Sequence, residues 1–286
     1  MELPEEVLRL FPADVSERLN RESNCLRSRV EEIRCRCGQP FWICYDQIER
    51  SIADRAVTPN DLDYIFERAC NYSYHARREE LSSGFLHTAG GLRIGICGTI
   101  TDSGIHSVCS LAIRIPHEII GCSEPVIPQL LKGGFQSAIL LSPPGTGKTT
   151  LLRDLIRALS RRGYRISVAD ERGEIAAVSS RAPQFQLGPC TDVMTGGKKA
   201  DTCMMLLRAM NPQIIAVDEI TALEDAEAIQ YITGCGVSFL ATAHAESVSD
   251  LQRRPIYREM LHNGIFRRAV QISMDNGMRN YRVVDL

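Results

Sequence analysis

From Phe135 onward the chain alternates between apolar stretches typical of buried strands and amphipathic stretches typical of helices. The strand-like stretches read SAILLS, RISVAD, QIIAVDE and VSFLATAH, and helical patterns begin near Thr149, Lys199 and Ala222. Strands that alternate with helices in this way form a parallel sheet with helices packed on its faces. The sequence therefore predicts an α/β domain over residues 131–286, and a β-rich final segment with Asn276-Gly277 at its centre predicts a hairpin.

The first 130 residues lack this regular alternation and mix short helical patterns with strand-like ones. A helix is predicted from Asn60 to Cys70, and two strands, GLRIGICGTI and SVCSLAIRIP, are predicted on either side of a polar turn at residues 101–104. A Pro-rich passage, GCSEPVIPQLLKGG, then separates this part of the chain from the α/β part. We therefore predict a smaller α+β domain over residues 1–130, with the boundary near residue 130.

The stretch AILLSPPGTGKTT places a Gly/Pro loop between an apolar strand and the helical pattern TTLLRDLIRALS. This order is typical of a phosphate-binding P-loop, in which backbone N–H groups and the helix dipole attract an anion. Lys148 is expected to reach the β and γ phosphates of a nucleotide, and the Thr149 hydroxyl to bind Mg²⁺. The candidate nucleotide-binding residues are Ser142, Pro143, Pro144, Gly145, Thr146, Gly147, Lys148, Thr149 and Thr150.

The loop departs from the pattern G-x-x-x-x-G-K-[ST] at one position, because Ser142 stands where the pattern has glycine. Gly145 and Gly147 remain next to the lysine, where the backbone approaches phosphate most closely. The alternative interpretation is a Gly/Pro turn with an incidental lysine. The order of strand, loop and helix favours the P-loop, and so does the scarcity of lysine, since the chain has only four.

Two acidic residues, Asp218 and Glu219, directly follow the apolar stretch QIIAV. A nucleotide hydrolase needs a carboxylate that holds the metal ion and an acid that orients the attacking water. We expect Asp218 to bind Mg²⁺, directly or through water, and Glu219 to be the base. The alternative is a pair of solvated acids at a strand end, which the neighbouring P-loop makes the weaker interpretation.

Two further strand ends should carry polar groups to the same crevice, because parallel strands deliver their carboxyl ends to one edge. In VADERGE, Glu171 or Glu174 is a candidate to hold Mg²⁺ through water, with an ion pair to Arg172 or Arg181 as the alternative. The stretch VSFLATAH ends at His244, a candidate to sense the γ-phosphate, although a histidine at a strand end is often structural. The chain has no N-K-x-D or T-K-x-D stretch for reading guanine, so ATP is the expected nucleotide.

The overall composition argues against several classes of protein. Lys and Arg total 33 against 35 Asp and Glu, a balance that disfavours a protein whose role is to coat nucleic acid. No apolar run approaches the ~20 residues needed to span a bilayer, and the start MELPEEVLRLF lacks the layout of a signal peptide. The eleven cysteines include no C-x-x-C pair. We therefore expect the cysteines to be small buried hydrophobic side chains in a protein of the reducing cytoplasm.

The order of SPPGTGKTT, VADERGE, IIAVDE and GVSFLATAH resembles that of the RecA-like ATPases of type II and type IV secretion and pilus systems. Those ATPases carry a Walker A loop, an acidic box, a Walker B strand and a histidine box in this order. The chain is more similar still to the stage III sporulation protein AA family of endospore-forming bacteria. This resemblance also rests on EEIRCRCGQP, YSYHARREELSSGF, GGLRIGICGTI, SLAIRIPHEIIGC and CTDVMTGGKKA, and it extends from about residue 30 to residue 245.

The resemblance implies a RecA-like P-loop NTPase domain preceded by a smaller N-terminal α+β domain that contacts neighbouring subunits. It also implies an ATPase on the mother-cell side of the forespore, which serves a membrane channel complex as a homo-hexamer with ATP between its subunits. We then expect the chain in the cytoplasm of the mother cell, held at the membrane by a membrane-protein partner rather than by insertion, and without nucleic acid as a ligand.

In RecA-like rings an arginine from the next subunit completes the ATP site, and Arg93 and Arg114 are the candidates here. The alternative is that both arginines pair with acids such as Glu79, Glu80 or Glu118. Three other functions remain open. They are a pilus or secretion ATPase outside sporulation, a nucleotide-dependent scaffold without hydrolysis, and a helicase or loader of nucleic acid, which the acidic composition disfavours.

Overall fold

The computed structural model describes residues 2–26, 28–46, 48–71, 81–101, 104–143, 145–178, 181–275 and 278–286. The chain forms two compact units, one of Met1–His117 with Ser179–Gln184 and one of Glu118–Val178 with Phe185–Leu286. The first unit encloses one cluster of buried apolar side chains, and the second encloses two.

The first unit combines helices with a six-stranded antiparallel sheet. Among its described residues the elements are α1 (Glu5–Leu8), α2 (Ala13–Asn24), β1 (Glu32–Arg36), β2 (Pro40–Tyr45), β3 (Ile48–Ala56), α3 (Pro59–Ala69), β4 (Phe85–Thr88), a 3₁₀ turn (Ala89–Gly91), β5 (Leu92–Thr101) and β6 (Gly104–Arg114). The strand order is β3-β2-β1-β6-β5-β4. The predicted α+β character of this part of the chain is confirmed.

Local sequence explains two of these elements. In β1 the side chains alternate, so that Ile33 and Cys35 enter the core while their neighbours stay partly exposed. Helix α3 begins at Thr58 with a capping box, in which the Asp61 N–H donates to the Thr58 hydroxyl and the Asp61 carboxylate accepts from the Thr58 N–H. The helix predicted near residues 60–70 is therefore confirmed, as is the β5–β6 pair, whose turn residues 102–103 lie outside the described residues.

The Pro-rich passage packs as part of the second unit. The backbone N–H groups of Gly121 and Ser123 donate to the Asp154 carboxylate at 3.0 and 2.7 Å. Asp154 also forms a buried ion pair of 2.7 Å with Arg157 one turn further along the same helix. The division between the units falls between His117 and Glu118, before the boundary near residue 130 that the composition suggested.

The second unit is an α/β domain. Among its described residues the elements are α4 (Ile127–Leu130), β7 (Ala138–Ser142), α5 (Lys148–Ser160), β8 (Ile166–Asp170), β9 (Thr191–Thr195), α6 (Lys199–Met210), β10 (Ile214–Val217), α7 (Leu223–Gly234), β11 (Ser238–His244), α8 (Val248–Gln252), α9 (Pro255–His262), β12 (Arg268–Asp275) and β13 (Met278–Asp285). The seven strands form one sheet in the order β13-β12-β7-β11-β10-β8-β9.

All neighbouring strands of this sheet are parallel except the β12–β13 pair. Strands β7, β8 and β10 are buried along their whole length, as expected for parallel strands covered on both faces. The predicted hairpin is confirmed by the antiparallel β12–β13 pair, while residues 276–277 lie outside the described residues. In the described ranges of both units, no helix is long and apolar enough to cross a membrane.

Candidate nucleotide-binding site

The loop predicted to bind phosphate lies between β7 and α5. Gly145 and Gly147 have φ angles of +76° and +99°, which glycine adopts far more readily than other residues. Gly147 precedes the first residue of α5, and no side chain caps that end of the helix. The N–H groups of the first turn therefore remain available for an anion. Pro144, one of the predicted loop residues, lies outside the described residues.

Ser142, which replaces the expected glycine, is fully buried at the end of β7. Its hydroxyl donates to the Pro143 carbonyl at 3.0 Å and accepts a hydrogen bond from the Thr146 hydroxyl. The Thr146 hydroxyl lies 2.8 Å from the same carbonyl. The serine thus links Pro143, at the beginning of the loop, to Thr146, three residues further along it.

Lys148 is largely buried at the start of α5. Its Nζ lies 3.1 Å from the carbonyl oxygens of both Ser142 and Pro143, and 2.7 Å from Nδ1 of His244. Burial lowers the pKa of the Lys148 ammonium, and the negative charges of nearby Glu219 and Asp218 act in the opposite direction. The lysine is therefore held inside the loop, where phosphate oxygens would take the place of these acceptors.

Asp218 and Thr149 lie side by side, as a P-loop magnesium site requires. The Thr149 hydroxyl is 3.5 Å from one oxygen of the Asp218 carboxylate, and the Thr242 hydroxyl donates to the other oxygen at 2.6 Å. The described residues hold no group of three or more His, Cys, Asp or Glu side chains suited to a metal ion. A P-loop needs no such group, because Mg²⁺ there is bound by one carboxylate, a hydroxyl, water and the substrate phosphates.

The second acid of the pair faces the histidine. Oε2 of Glu219 lies 3.3 Å from Nε2 of His244, whose other ring nitrogen contacts Lys148. Both the Glu219 and the His244 side chains are partly exposed, so solvent reaches them. The structure therefore brings Lys148, Thr149, Asp218, Glu219 and His244 together at the carboxyl ends of β7, β11 and β10.

The acidic box after β8 is arranged differently. Asp170 points back into its own loop, where its carboxylate accepts hydrogen bonds from the N–H groups of Ile175 and Ala176. Burial raises the pKa of Asp170 in spite of these bonds. Glu171 forms an ion pair of 3.3 Å with Lys199, so its partner is neither of the two arginines considered from the sequence.

The other acid of the box, Glu174, is partly exposed, and its backbone carbonyl accepts hydrogen bonds from the Arg153 guanidinium. Its predicted role as a water-mediated metal ligand stays a prediction, as does that of Glu171.

The two arginine candidates lie together in the first unit, directly opposite each other on β5 and β6. The Arg93 guanidinium stacks over the ring of Phe85 at 4.4 Å, and Nε of Arg114 lies 3.2 Å from the Glu32 carboxylate. These contacts differ from the pairs with Glu79, Glu80 or Glu118 that the sequence suggested, and residues 79 and 80 lie outside the described residues. That either arginine acts on a neighbouring subunit stays a prediction.

Three residues of the site were not assigned a role from the sequence. Thr242 was visible only as a polar residue near a strand end, and Lys199 only as one of the few lysines. Arg279, on the hairpin strand β13, donates from Nε to the Thr146 carbonyl at 3.0 Å across 133 residues of sequence. No local motif reports such a contact, because it depends on where β13 lies in the sheet.

Solved structures with a similar fold include secretion and pilus ATPases. The pilus retraction motor PilT, in a structure with bound ADP, matches with a TM-score of 0.66 over 93% of this chain and 82% of PilT, at 18% identity. The Legionella pneumophila ATPase DotB matches with a TM-score of 0.63 over 96% of this chain and 80% of DotB, at 14% identity. The chain therefore shares the RecA-like fold of these proteins, with a smaller N-terminal α+β domain, as predicted.

Sequence comparison identifies the family. The chain belongs to the family Sporulation stage III, protein AA, whose sequence model matches residues 1–283. It is 33% identical to stage III sporulation protein AA of Bacillus subtilis (strain 168), over 95% of this chain and 92% of that protein. It is also 26% identical to the uncharacterized protein ycf45 of Porphyra purpurea over 90% of this chain, which spans 43% of that protein. The family predicted from the sequence is confirmed.

Proposed function

We propose that this chain is a Mg²⁺-dependent ATPase that hydrolyses ATP at its P-loop. The observation that carries the proposal is the meeting of Lys148, Thr149, Asp218, Glu219 and His244 at the ends of three adjacent parallel strands. A turn with an incidental lysine would not place a hydroxyl, two carboxylates and a histidine around that lysine. The similar folds of PilT and DotB support the proposal as analogy.

The binding half of the site is the loop with Lys148. Phosphate oxygens accept hydrogen bonds from the uncapped N–H groups of α5 and from the lysine, which then leaves the carbonyls of Ser142 and Pro143. Thr149 and Asp218 would hold Mg²⁺ on the adjacent side, and Thr242 fixes the orientation of the Asp218 carboxylate. An ion held there would supply positive charge to the β and γ phosphates.

The hydrolytic half is Glu219 with His244. The Glu219 carboxylate orients the attacking water and accepts its proton, and the histidine holds that carboxylate through Nε2. Nδ1 of the same ring accepts from Lys148, so movement of the lysine onto phosphate removes a contact of the imidazole that holds Glu219. Arrival of the γ-phosphate and alignment of the base are thereby coupled through one imidazole ring.

Two variants test this division of roles. Lys148→Ala should weaken nucleotide binding, because a cation facing phosphate is lost. Glu219→Gln should keep nucleotide affinity and lose turnover, since only the activation of water is removed. The measurements are equilibrium binding of a fluorescent ATP and release of phosphate, with Lys132→Ala, at an exposed lysine, as the control.

Turnover at the wild-type rate in Glu219→Gln would reject Glu219 as the base. Saturable nucleotide binding without turnover in the wild-type chain would instead support a nucleotide-dependent scaffold. Unchanged affinity in Lys148→Ala would reject the P-loop as the phosphate site.

We further propose that the chain works in endospore formation as a homo-hexamer in the mother-cell cytoplasm, attached to a membrane channel complex through a protein partner. Membership of the sporulation family supports this setting. In such a ring Arg114 or Arg93 would complete the ATP site of the next subunit. Arg114→Ala chains mixed with Glu219→Gln chains should then recover part of the lost hydrolysis. Co-assembled mixtures that stay inactive would exclude Arg114 and leave Arg93 to be tested in the same way.

A further inference from the structure

The hairpin strand β13 places an arginine on the phosphate-binding loop of the same chain. Nε of Arg279 donates to the Thr146 carbonyl at 3.0 Å. A methyl group added at Gly147 would lie 2.9 Å from Nε and 3.2 Å from Cζ of this guanidinium. The guanidinium therefore rests directly against the glycine that precedes Lys148, in space that any side chain at position 147 would occupy.

The sheet topology makes this contact possible. Strand β12 pairs in parallel with β7, the strand that leads into the loop. Strand β13 then pairs antiparallel with β12, on the side of β12 that faces away from β7. Arg279 stands next to the start of β13, because Met278 pairs with Asp275 at the closed end of the hairpin. The loop is thus bounded by the hairpin on one side and by the Glu219 and His244 side chains on the other.

The guanidinium has donors left for a ligand. The bond to Thr146 uses Nε, and in the part of the chain that the structure describes, no acceptor contacts the two terminal amino groups of the exposed Arg279 side chain. A guanidinium donates two parallel hydrogen bonds to a phosphate more effectively than any other side chain. Nζ of Lys148 contacts His244, whereas the Arg279 guanidinium lies against Thr146 and Gly147, earlier in the loop.

We propose that Arg279 is a nucleotide-binding residue supplied in cis by the C-terminal hairpin, and that its amino groups bind a phosphate common to nucleoside diphosphates and triphosphates. This inference rests on the proposed function, since it assumes that the loop binds a nucleotide. Its consequence is that the hairpin is held to the loop through the ligand in both the ADP and the ATP state, unlike a contact to the γ-phosphate, which only the ATP state offers.

The test compares Arg279→Gln with Arg282→Gln in the full-length chain. Arg282 lies three residues further along β13, is exposed, and projects to the opposite face of the hairpin, which makes it a matched control. Glutamine keeps an N–H donor for the Thr146 carbonyl but carries no charge and only one amide group. A residue that merely braced the loop would tolerate this change.

We expect Arg279→Gln to weaken binding of both Mg-ADP and a non-hydrolysable ATP analogue by roughly tenfold to a hundredfold, as for the loss of a charged hydrogen-bond pair. The affinity of the variant should also depend less on salt than that of the wild type, because one charge interaction is gone. Arg282→Gln should bind like the wild type.

Unchanged affinity in Arg279→Gln, a loss confined to the ATP analogue, or an equal loss in Arg282→Gln would overturn the proposal. Failure of the proposed function would look different, because the wild-type chain itself would then bind neither nucleotide.

Discussion

Replacement of Lys199 by methionine tests whether a buried lysine holds the loops of the site together. The Lys199 side chain is 6% exposed, and its Nζ lies 3.3 Å from Glu171, 3.8 Å from Asp225 and 2.5 Å from the Glu219 carbonyl. It therefore joins the acidic box after β8, the start of α7 and the residue proposed as the base. Methionine has a similar length and volume but provides neither a charge nor a donor.

The expected loss of stability follows from the burial of the partners. Removing one partner of a buried ion pair costs about 3–5 kcal/mol, because the remaining charge is left uncompensated. Asp225 is 8% exposed, and among the described residues it then keeps two long hydrogen bonds, of 3.4 and 3.3 Å, from the N–H groups of Thr221 and Ala222. Glu171 is 40% exposed and can be solvated, so the loss of its ion pair with Lys199 contributes little to the loss of stability. We expect Lys199→Met to destabilise the second unit by about 3 kcal/mol.

Hydrogen exchange measures this loss within the second unit alone. Amides of the buried strands β10 and β11 exchange only through large-scale opening, so a loss of about 3 kcal/mol should speed their exchange roughly a hundredfold. Fluorescence of Trp42, the one tryptophan of the chain, reports on β2 in the first unit and should not change.

Lys198→Met is the matched control, since the neighbouring lysine is exposed and its loss should stay within about 0.5 kcal/mol. Equal exchange rates in Lys199→Met and Lys198→Met would refute the reasoning. They would mean that the contacts of Nζ contribute no net stability.

Two further predictions concern single carboxylates. Burial opposes ionisation of Asp61, but the Arg55 guanidinium and the Thr58 groups outweigh it and hold its pKa at about 2. The first unit, followed by Trp42 fluorescence, should therefore lose about 2 kcal/mol of stability as the pH falls from 4 to 2, and Asp61→Asn should abolish this part of the loss. Thr242→Val removes the donor to Asp218 and should raise the Mg²⁺ concentration needed for half-maximal turnover severalfold; an unchanged Mg²⁺ requirement would contradict the assigned role.

The fold of the second unit was predictable because its signals are local. Parallel strands covered on both faces read as apolar runs, and β7, β8 and β10 are such runs. The boundary between the units was less predictable, because the Pro-rich passage is held by hydrogen bonds from Gly121 and Ser123 to Asp154, about 30 residues further on. Composition reports where a pattern changes, and it does not report which unit a passage packs against.

The same distinction applies to the proposed phosphate site. Its loop residues are contiguous, so the motif alone places Lys148 and Thr149 next to each other at the start of a helix. Contacts made by Lys199 and Arg279 join elements far apart in sequence, and neither residue carries a pattern of its own. Sequence therefore predicted the part of the site that one segment builds, together with the strand ends that parallel order brings to it.

Two nearly identical tetrapeptides show where that reasoning stops. VADE at 168–171 and AVDE at 216–219 each end a buried parallel strand, and the two strands are neighbours in the sheet. Asp170 turns back to N–H groups of the loop that follows it, whereas Asp218 accepts from Thr242 on the strand between β10 and β7. The strand order decides this difference, because β10 lies one strand closer to the P-loop than β8 does. Asp170 and Asp218 look equivalent in sequence but make different hydrogen bonds, because their strands lie at different distances from β7. That distance depends on the strand order of the whole sheet.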